Sequence, residues 1–207
     1  MKRIAFLFFL AASTAFACGS ERWSVKTLTD KDAARISEQP LTATIEDLTN
    51  IPAPARSAMP NDGRLGPELH TYLVTGYLVG FKKEADEDFH IVIADLDNPK
   101  ATMVVEMAAP DCVGDDYQKQ FATEREEWEK RFGKATAKFK DVHAHKIKVQ
   151  FVGVGFFDFI HGQTGVAKNG FELHPVLAWE EVFFRPVNAH EILAVSKGEA
   201  NATSSQR

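Results

Sequence analysis

The order of apolar patterns along the chain constrains its fold more than any other feature. Segments of 8 to 15 residues rich in Val, Ile, Phe and Tyr have the composition of β-strands. Between the third and fourth of them, Tyr117, Phe121, Trp128 and Phe132 recur at helical spacing. The chain is therefore expected to form a mainly β domain with one helix. The strand-like segments are residues 71–83, 89–97, 101–108, 145–159 and 171–184.

The strands themselves predict a closed barrel. Gly76 and Gly80 fall inside the first strand, and interior glycines commonly mark bulges or strong coiling. Three strands, a helix and two strands is also the chain order of the OB-fold, a small five-stranded barrel. We therefore predict a five-stranded, OB-like antiparallel barrel over residues 71–185. The alternative is an open antiparallel sheet with one helix packed on it.

The rest of the chain divides into three segments. Residues 18–70 carry five prolines, which argue against long regular elements, so an irregular N-terminal arm wrapping the barrel is predicted. Residues 1–17 combine a basic start, a short apolar stretch and a small-residue cleavage pattern at 15–17, as in a removed signal peptide. Residues 186–207 are polar and are predicted to form a largely disordered tail.

The predicted signal peptide is of bacterial type and implies export, to the periplasm or out of the cell. Cleavage after Ala17 would leave Cys18 at the new N-terminus, and the other cysteine is Cys112. Two cysteines in an exported chain most often pair, and the long loop that they would close contributes up to about 4–5 kcal/mol. The alternative is a lipoprotein anchored to the membrane through Cys18, although Ala15 stands where such signals carry an aliphatic residue.

Charge argues against one class of partner. Without the predicted signal, 22 basic residues remain against 29 acidic ones, a formal net charge of −7. Bulk charge therefore does not favour nucleic acid. Residues 134–148 are a local basic exception. With Phe156 or Trp179 as stacking residues, they form an alternative site for single-stranded nucleic acid.

The densest group of polar side chains lies between the fourth and fifth strands. In an OB-fold this loop and the loop between the first two strands flank the ligand face, and the latter loop, residues 82–90, is acidic here. We predict a non-enzymatic binding site for a small polar molecule, an oligosaccharide, a peptide or an envelope protein. Its hydrogen bonds and pH-sensitive charge would come from His161, Gln163, Thr164, Asn169, Glu172 and His174.

The same loop supports a metal alternative. Glu172 and His174 are two apart in a strand and therefore share a face, while Asp158 and His161 lie across the loop. Together these four groups could bind one ion and serve a metal-dependent, nuclease-like hydrolase. The sequence has no HExxH, CxxC or GxSxG spacing, so no catalytic residue is assigned and no cofactor other than this metal is expected.

Four stretches of the sequence resemble a group of uncharacterised exported bacterial proteins. They span nearly all of the chain after the predicted signal. The resemblance implies that the arm and the loop belong to one unit, and that Cys18 and Cys112 recur as a pair. It implies no activity, ligand or catalytic residue. The stretches are RWSVKTLTDKDAARI, LVGFKKEADEDFHIVIAD, ATMVVEMAAPDCVG and VGVGFFDFIHGQTGVAKNGFELHPVL.

Overall fold

The computed structural model describes residues 18–19 and 21–183. The predicted signal peptide, residues 1–17, and the predicted tail, residues 186–207, lie outside the described residues. Among the described residues, no helix combines the length and apolar character needed to cross a bilayer.

The described residues form three α-helices and seven strands, and the five strand-like segments of the sequence each correspond to one long strand. The helices are α1 (Trp23–Lys26), α2 (Ile45–Thr49) and α3 (Asp115–Phe132). The strands are β1 (Ser37–Ala43), β2 (His70–Lys83), β3 (Phe89–Ala94), β4 (Thr102–Met107), β5 (Lys140–Asp141), β6 (Lys148–Phe157) and β7 (Phe171–Glu181).

Five strands close into a barrel in the order β2-β3-β4-β7-β6, with β6 pairing back onto β2. Helix α3 lies between β4 and β6 in the chain, so the predicted OB-like barrel is confirmed and the open sheet is not formed. Four of the five pairings are antiparallel, and β4 runs parallel to β7 where Val105 pairs with Leu173. One parallel pair is unavoidable because an odd number of strands in a ring cannot all alternate in direction.

The barrel strands bend at irregularities that the sequence signals. The β2–β3 register shifts between Leu78 and Gly80, and β5 crosses Gly80 so closely that a Cβ there would lie 2.5 Å from the Lys140 carbonyl oxygen. The β6–β7 register shifts on both sides of Gly153, opposite the part of β7 that contains Pro175. Proline has no N–H to donate to the ladder, so the pairing is interrupted there.

Large apolar side chains fill the barrel, and α3 closes part of it. Phe81, Phe151 and Leu173 are fully buried inside. Trp128 of α3 joins this core, with its ring centroid 5.4 Å from that of Phe81. Helix α3 ends at Gly133, whose φ of 84° is a backbone conformation that favours glycine.

The N-terminal arm is held against the barrel by several elements. Strand β1 pairs in parallel with β2. Helix α2 begins with a capping box in which the Thr44 side chain accepts a hydrogen bond from the Asp47 amide and the Asp47 carboxylate accepts one from the Thr44 amide. A disulfide joins Cys18 to Cys112, with the Cα atoms 5.7 Å apart. A sulfur bonded in this way is not available for the thioether of a lipid anchor.

Candidate functional site

A cavity of about 350 Å³ opens at one end of the barrel, between the β2–β3 loop and the β6–β7 loop. Gly19 and Glu21 of the arm complete its wall. These are the two loops that flank the ligand face of an OB-fold. The cavity has far more acidic than basic groups. Its ionisable and amide side chains are those of Glu21, Lys26, Glu84, Asp86, Glu106, Asp158, His161 and Gln163.

Two of the six predicted ligand residues line this cavity. His161 is exposed at the rim, and Gln163 is half-buried beside it. The Gln163 side chain donates to the Phe159 carbonyl at 2.8 Å and accepts from the His161 amide at 2.9 Å. Gln163 therefore shapes the loop and also presents its amide to the cavity.

Two other predicted ligand residues have structural partners instead. The buried Asn169 amide donates to the Leu48 carbonyl at 2.9 Å and to the Ile51 carbonyl at 3.0 Å, so it ties the loop to the end of α2. Thr164 is exposed, and its carbonyl oxygen lies 2.8 Å from His90 Nε2. Neither residue is among those that line the cavity.

Glu172 and His174 lie on the outer wall of the barrel, beneath the arm. Their neighbours in β7, Phe171 and Leu173, point into the barrel core. Glu172 and His174 are nevertheless 3 % and 0 % exposed. The cover includes α1, because Lys26 lies above the same wall with its Nζ 5.4 Å from the Phe156 ring centroid.

The structure does not bring the four predicted metal ligands around one point. His174 is fully buried, whereas His161 stands exposed at the cavity rim. Within residues 18–19 and 21–183, two groups of His and carboxylate ligand atoms lie within 4.8 Å of one another. Neither group contains Asp158, His161 or Glu172. The reason is that β7 turns its polar face under the arm, while the loop carries His161 out to solvent.

Sequence reasoning missed the residues that surround His174. His90 and Glu106 are paired across β3 and β4, with His90 Nδ1 2.9 Å from Glu106 Oε1. His174 Nδ1 lies 3.0 Å from Glu106 Oε2, and its Nε2 lies 3.4 Å from Asp88 Oδ2. A signal was present: Glu106 is the one charged residue in an apolar strand, and Asp88 and His90 have the same i,i+2 spacing as Glu172 and His174.

The carboxylates determine the protonation of the histidine. Burial lowers the pKa of His174, but the surrounding carboxylates outweigh burial and raise that pKa well above its ordinary value. Burial raises the pKa of Glu106, but contacts with His174 and His90 outweigh it and hold that pKa well below its usual range. The carboxylates around His174 belong to Asp88, Glu106 and Glu172.

A second carboxyl in the wall behaves differently. Burial, followed by repulsion from Glu106 and Asp158, raises the pKa of Glu172 to about 8. Burial lowers the pKa of Lys26, but attraction by Glu106, Glu172 and other carboxylates outweighs it and raises that pKa. Glu172 is therefore largely protonated at neutral pH, because the wall brings together more carboxyl groups than basic groups.

Neighbouring carboxylates also affect Asp86, which lines the cavity. Burial, followed by repulsion from Asp88 and Glu106, raises the pKa of Asp86. No salt bridge to Asp86 occurs in the described part of the chain. The Lys26 ammonium is already shared, with its Nζ 4.0 Å from Asp158 Oδ1.

Of the aromatic residues considered for nucleic-acid stacking, Phe156 is buried and Trp179 is partly exposed. Phe156 is fully buried, with the Arg22 guanidinium carbon 4.8 Å from its ring centroid. Trp179 is half-buried, its ring packs against Trp128, and its indole N–H donates to the Glu124 carbonyl. Stacking of a base on Phe156 would require the arm to move.

Comparison with known proteins adds little to this description. No family model matches the chain, and no curated protein matches it. Among solved structures, it is similar to the crystal structure of a putative aspartyl-tRNA synthetase from Leishmania major Friedlin. The identity is 14 % and the TM-score is 0.39. The match covers 70 % of this chain and 21 % of that one, so the chain spans about a fifth of its length.

Proposed function

We propose that this protein binds a small organic cation, such as a linear polyamine, in the cavity between the β2–β3 and β6–β7 loops. The observation that carries the proposal is the charge of the cavity lining, in which five carboxylates accompany a single lysine. The proposed activity is binding without chemical change. Metal-dependent hydrolysis and single-stranded nucleic-acid binding stay predictions.

The size of the cavity fits a small molecule. A volume of about 350 Å³ lies at the lower end of the range for ligand pockets, roughly 300–1,000 Å³. Chain segments distant in sequence build its wall, since the arm contributes Glu21 and the barrel contributes Glu106. Such a site is expected to be preformed, because strands and a disulfide hold its parts together.

The balance of charge favours a cation over a neutral ligand. Asp86 sits half-buried near other carboxylates and forms no salt bridge among the described residues, although Lys26 attracts it at longer range. A bound ammonium group would relieve that repulsion and donate strong, charge-assisted hydrogen bonds to the carboxylates. Two or more ammonium groups could engage Asp86 and Asp158 at once, which is why a polyamine fits better than a monoamine.

The place of action belongs to the same proposal. We infer that the protein is exported to the periplasm or secreted, and the Cys18–Cys112 disulfide supports an oxidising compartment. Polyamine in that compartment would meet a protein whose formal net charge is −7 without the predicted signal, with 22 basic residues against 29 acidic ones, so long-range attraction would assist association.

Calorimetric titration with spermidine at low salt tests the proposal. We expect saturable binding that weakens as salt is added and falls at least about tenfold in Asp86→Asn, since one charge-assisted contact contributes about 1.5–3 kcal/mol. Asp97→Asn is the matched control, because it removes the same charge from the exposed β3–β4 turn. Absence of spermidine binding, or equal loss in both variants, would overturn the proposal, as would tight binding of neutral maltotriose in its place.

A further inference from the structure

The outer wall of the barrel carries a buried group of side chains of the types that bind metal ions. Only one of them, Glu106, also lines the cation cavity. Asp88 precedes β3, Glu106 lies in β4 and His174 lies in β7. Each offers an atom within 4.8 Å of those offered by the other two. Asp88 and His174 are 0 % exposed and Glu106 is 7 % exposed. Neighbouring strands of the closed barrel therefore bring one imidazole and two carboxylates together out of contact with bulk water.

Several polar atoms in this group have no hydrogen bond. Both ring nitrogens of His174, Oδ2 of Asp88 and Oε1 of Glu172 are buried without a hydrogen-bond partner among the described residues. The atoms are close, at 3.0 to 3.4 Å, but the oxygens do not lie where the ring N–H bonds point. Buried polar atoms are nearly always satisfied, so two ring nitrogens and two carboxylate oxygens left unsatisfied together indicate a missing ligand.

The other carboxylate oxygens of Asp88 and Glu106 form hydrogen bonds elsewhere, and these bonds determine which oxygen of each residue faces His174. Asp88 Oδ1 accepts from the Ala109 amide at 2.7 Å, and this turns Oδ2 toward His174. Glu106 Oε1 lies 2.9 Å from His90 Nδ1, and this leaves Oε2 facing His174. His90 is itself held by the Thr164 carbonyl. Supporting hydrogen bonds of this kind are typical of the residues behind metal ligands.

We propose that Asp88, Glu106 and His174 bind a divalent transition-metal ion, with Glu172 as an adjacent carboxylate. One imidazole with two or three carboxylates and no thiolate is a donor set for Zn²⁺ or Mn²⁺. Ca²⁺ is disfavoured because it takes six to eight oxygen ligands. Two positive charges would offset the surplus of carboxylates in the wall. The ion could enter through the cavity, since Glu106 lines it.

A second group in the same wall fits a metal less well. Glu84, His90 and Glu106 also bring ligand atoms within 4.8 Å of one another. Both nitrogens of His90 are occupied, however, by Glu106 on one side and the Thr164 carbonyl on the other. Glu84 is only half-buried and pairs with Lys82 at 2.9 Å. His90 is therefore not a ligand of the proposed metal, and its contact with Glu106 orients that carboxylate.

Metal loading of the purified, chelator-treated protein tests the proposal. Zn²⁺ and Mn²⁺ are added separately, the excess is removed, and bound metal is measured by elemental analysis. Co²⁺ then replaces them, and its visible absorption reports the ligands directly. The key variant is Asp88→Asn, and its matched control is Asp97→Asn, which makes the same change in the exposed β3–β4 turn. Glu106→Gln is a second variant, and circular dichroism checks that each variant is folded.

We expect about one bound ion per chain, with affinity at least about tenfold lower in Asp88→Asn and unchanged in Asp97→Asn. Glu106→Gln should alter the Co²⁺ spectrum. Failure of the wild-type protein to retain Zn²⁺ or Mn²⁺ would overturn the proposal, as would equal affinity in wild type and Asp88→Asn. Glu106 belongs to both sites, but Asp86 and Asp88 distinguish them: spermidine binding should respond to Asp86→Asn, and metal binding to Asp88→Asn.

Discussion

Arg22 and Glu68 form a bidentate ion pair that is almost wholly removed from solvent. Arg22 Nη1 lies 2.6 Å from Glu68 Oε1, and Nη2 lies 2.8 Å from Oε2. The side chains are 1 % and 0 % exposed. Both also bond the main chain of Phe157 at the end of β6, since Arg22 donates to its carbonyl and Glu68 accepts from its amide. The pair therefore fastens the arm to the barrel beside the loop that lines the cavity.

Breaking this pair should destabilise the fold strongly. Glu68→Ala leaves the Arg22 charge buried without its partner, so the free energy of unfolding in urea should fall by about 3–5 kcal/mol. The double variant Arg22→Met with Glu68→Leu should lose less, because it buries no unpaired charge. Glu21→Ala, which breaks the exposed pair with Arg56, should change stability by less than about 1 kcal/mol. A double variant less stable than Glu68→Ala would contradict this account.

Removal of the disulfide should also destabilise the protein. Cys18 and Cys112 are 94 residues apart, and a loop of that length contributes up to about 4–5 kcal/mol through the entropy of the unfolded chain. Cys18→Ser should therefore lower the urea midpoint under oxidising conditions, and reductant should then cause no further loss. Reductant should lower the wild-type midpoint to about the same value. Equal stability of the oxidised wild-type protein and the variant would show that the bond does not constrain the unfolded chain.

Asn169 tests whether a loop residue braces the fold or binds the ligand. Asn169→Ala would leave the Leu48 and Ile51 carbonyls without their side-chain donor, which should cost about 1–3 kcal/mol in urea unfolding. Affinity for spermidine should not change, because Asn169 does not line the cavity. Asn98→Ala, in an exposed turn, should alter stability by no more than about 0.5 kcal/mol. If the Asn169→Ala protein were as stable as wild type but bound spermidine more weakly, the result would support the ligand-binding role predicted from sequence.

The capping box of α2 predicts a pH effect of known sign. Hydrogen bonds from the Thr44 side chain and amide hold the pKa of Asp47 below its ordinary value. A lowered pKa contributes stability above the ordinary carboxyl pKa, and this is lost as pH falls through the lowered value. In Thr44→Ala, NMR titration should show the Asp47 pKa move up toward its ordinary value. Thr42→Ala should leave it where it is in the wild-type protein, and an unchanged pKa in Thr44→Ala would count against the capping box.

The sequence alone specified the elements of the barrel and their order. Apolar, β-branched and aromatic composition identified the five barrel strands, the aromatic spacing identified α3, and Gly133 marked its end. These signals are local, because a residue's neighbours at i±2 or i±4 determine which face it shares. For the same reason, the sequence placed Glu172 and His174 on one face of a strand.

Only the tertiary structure decided which polar faces meet. Asp88, Glu106 and His174 come together because the ring closes with β4 beside β7, and no local pattern encodes that adjacency. The arm then covers the wall and buries groups that the sequence suggests would face solvent, so that their pKa values and their need for partners change. Local periodicity thus determined the strands, whereas barrel closure and burial determined the candidate site, because both depend on contacts between residues far apart in the chain.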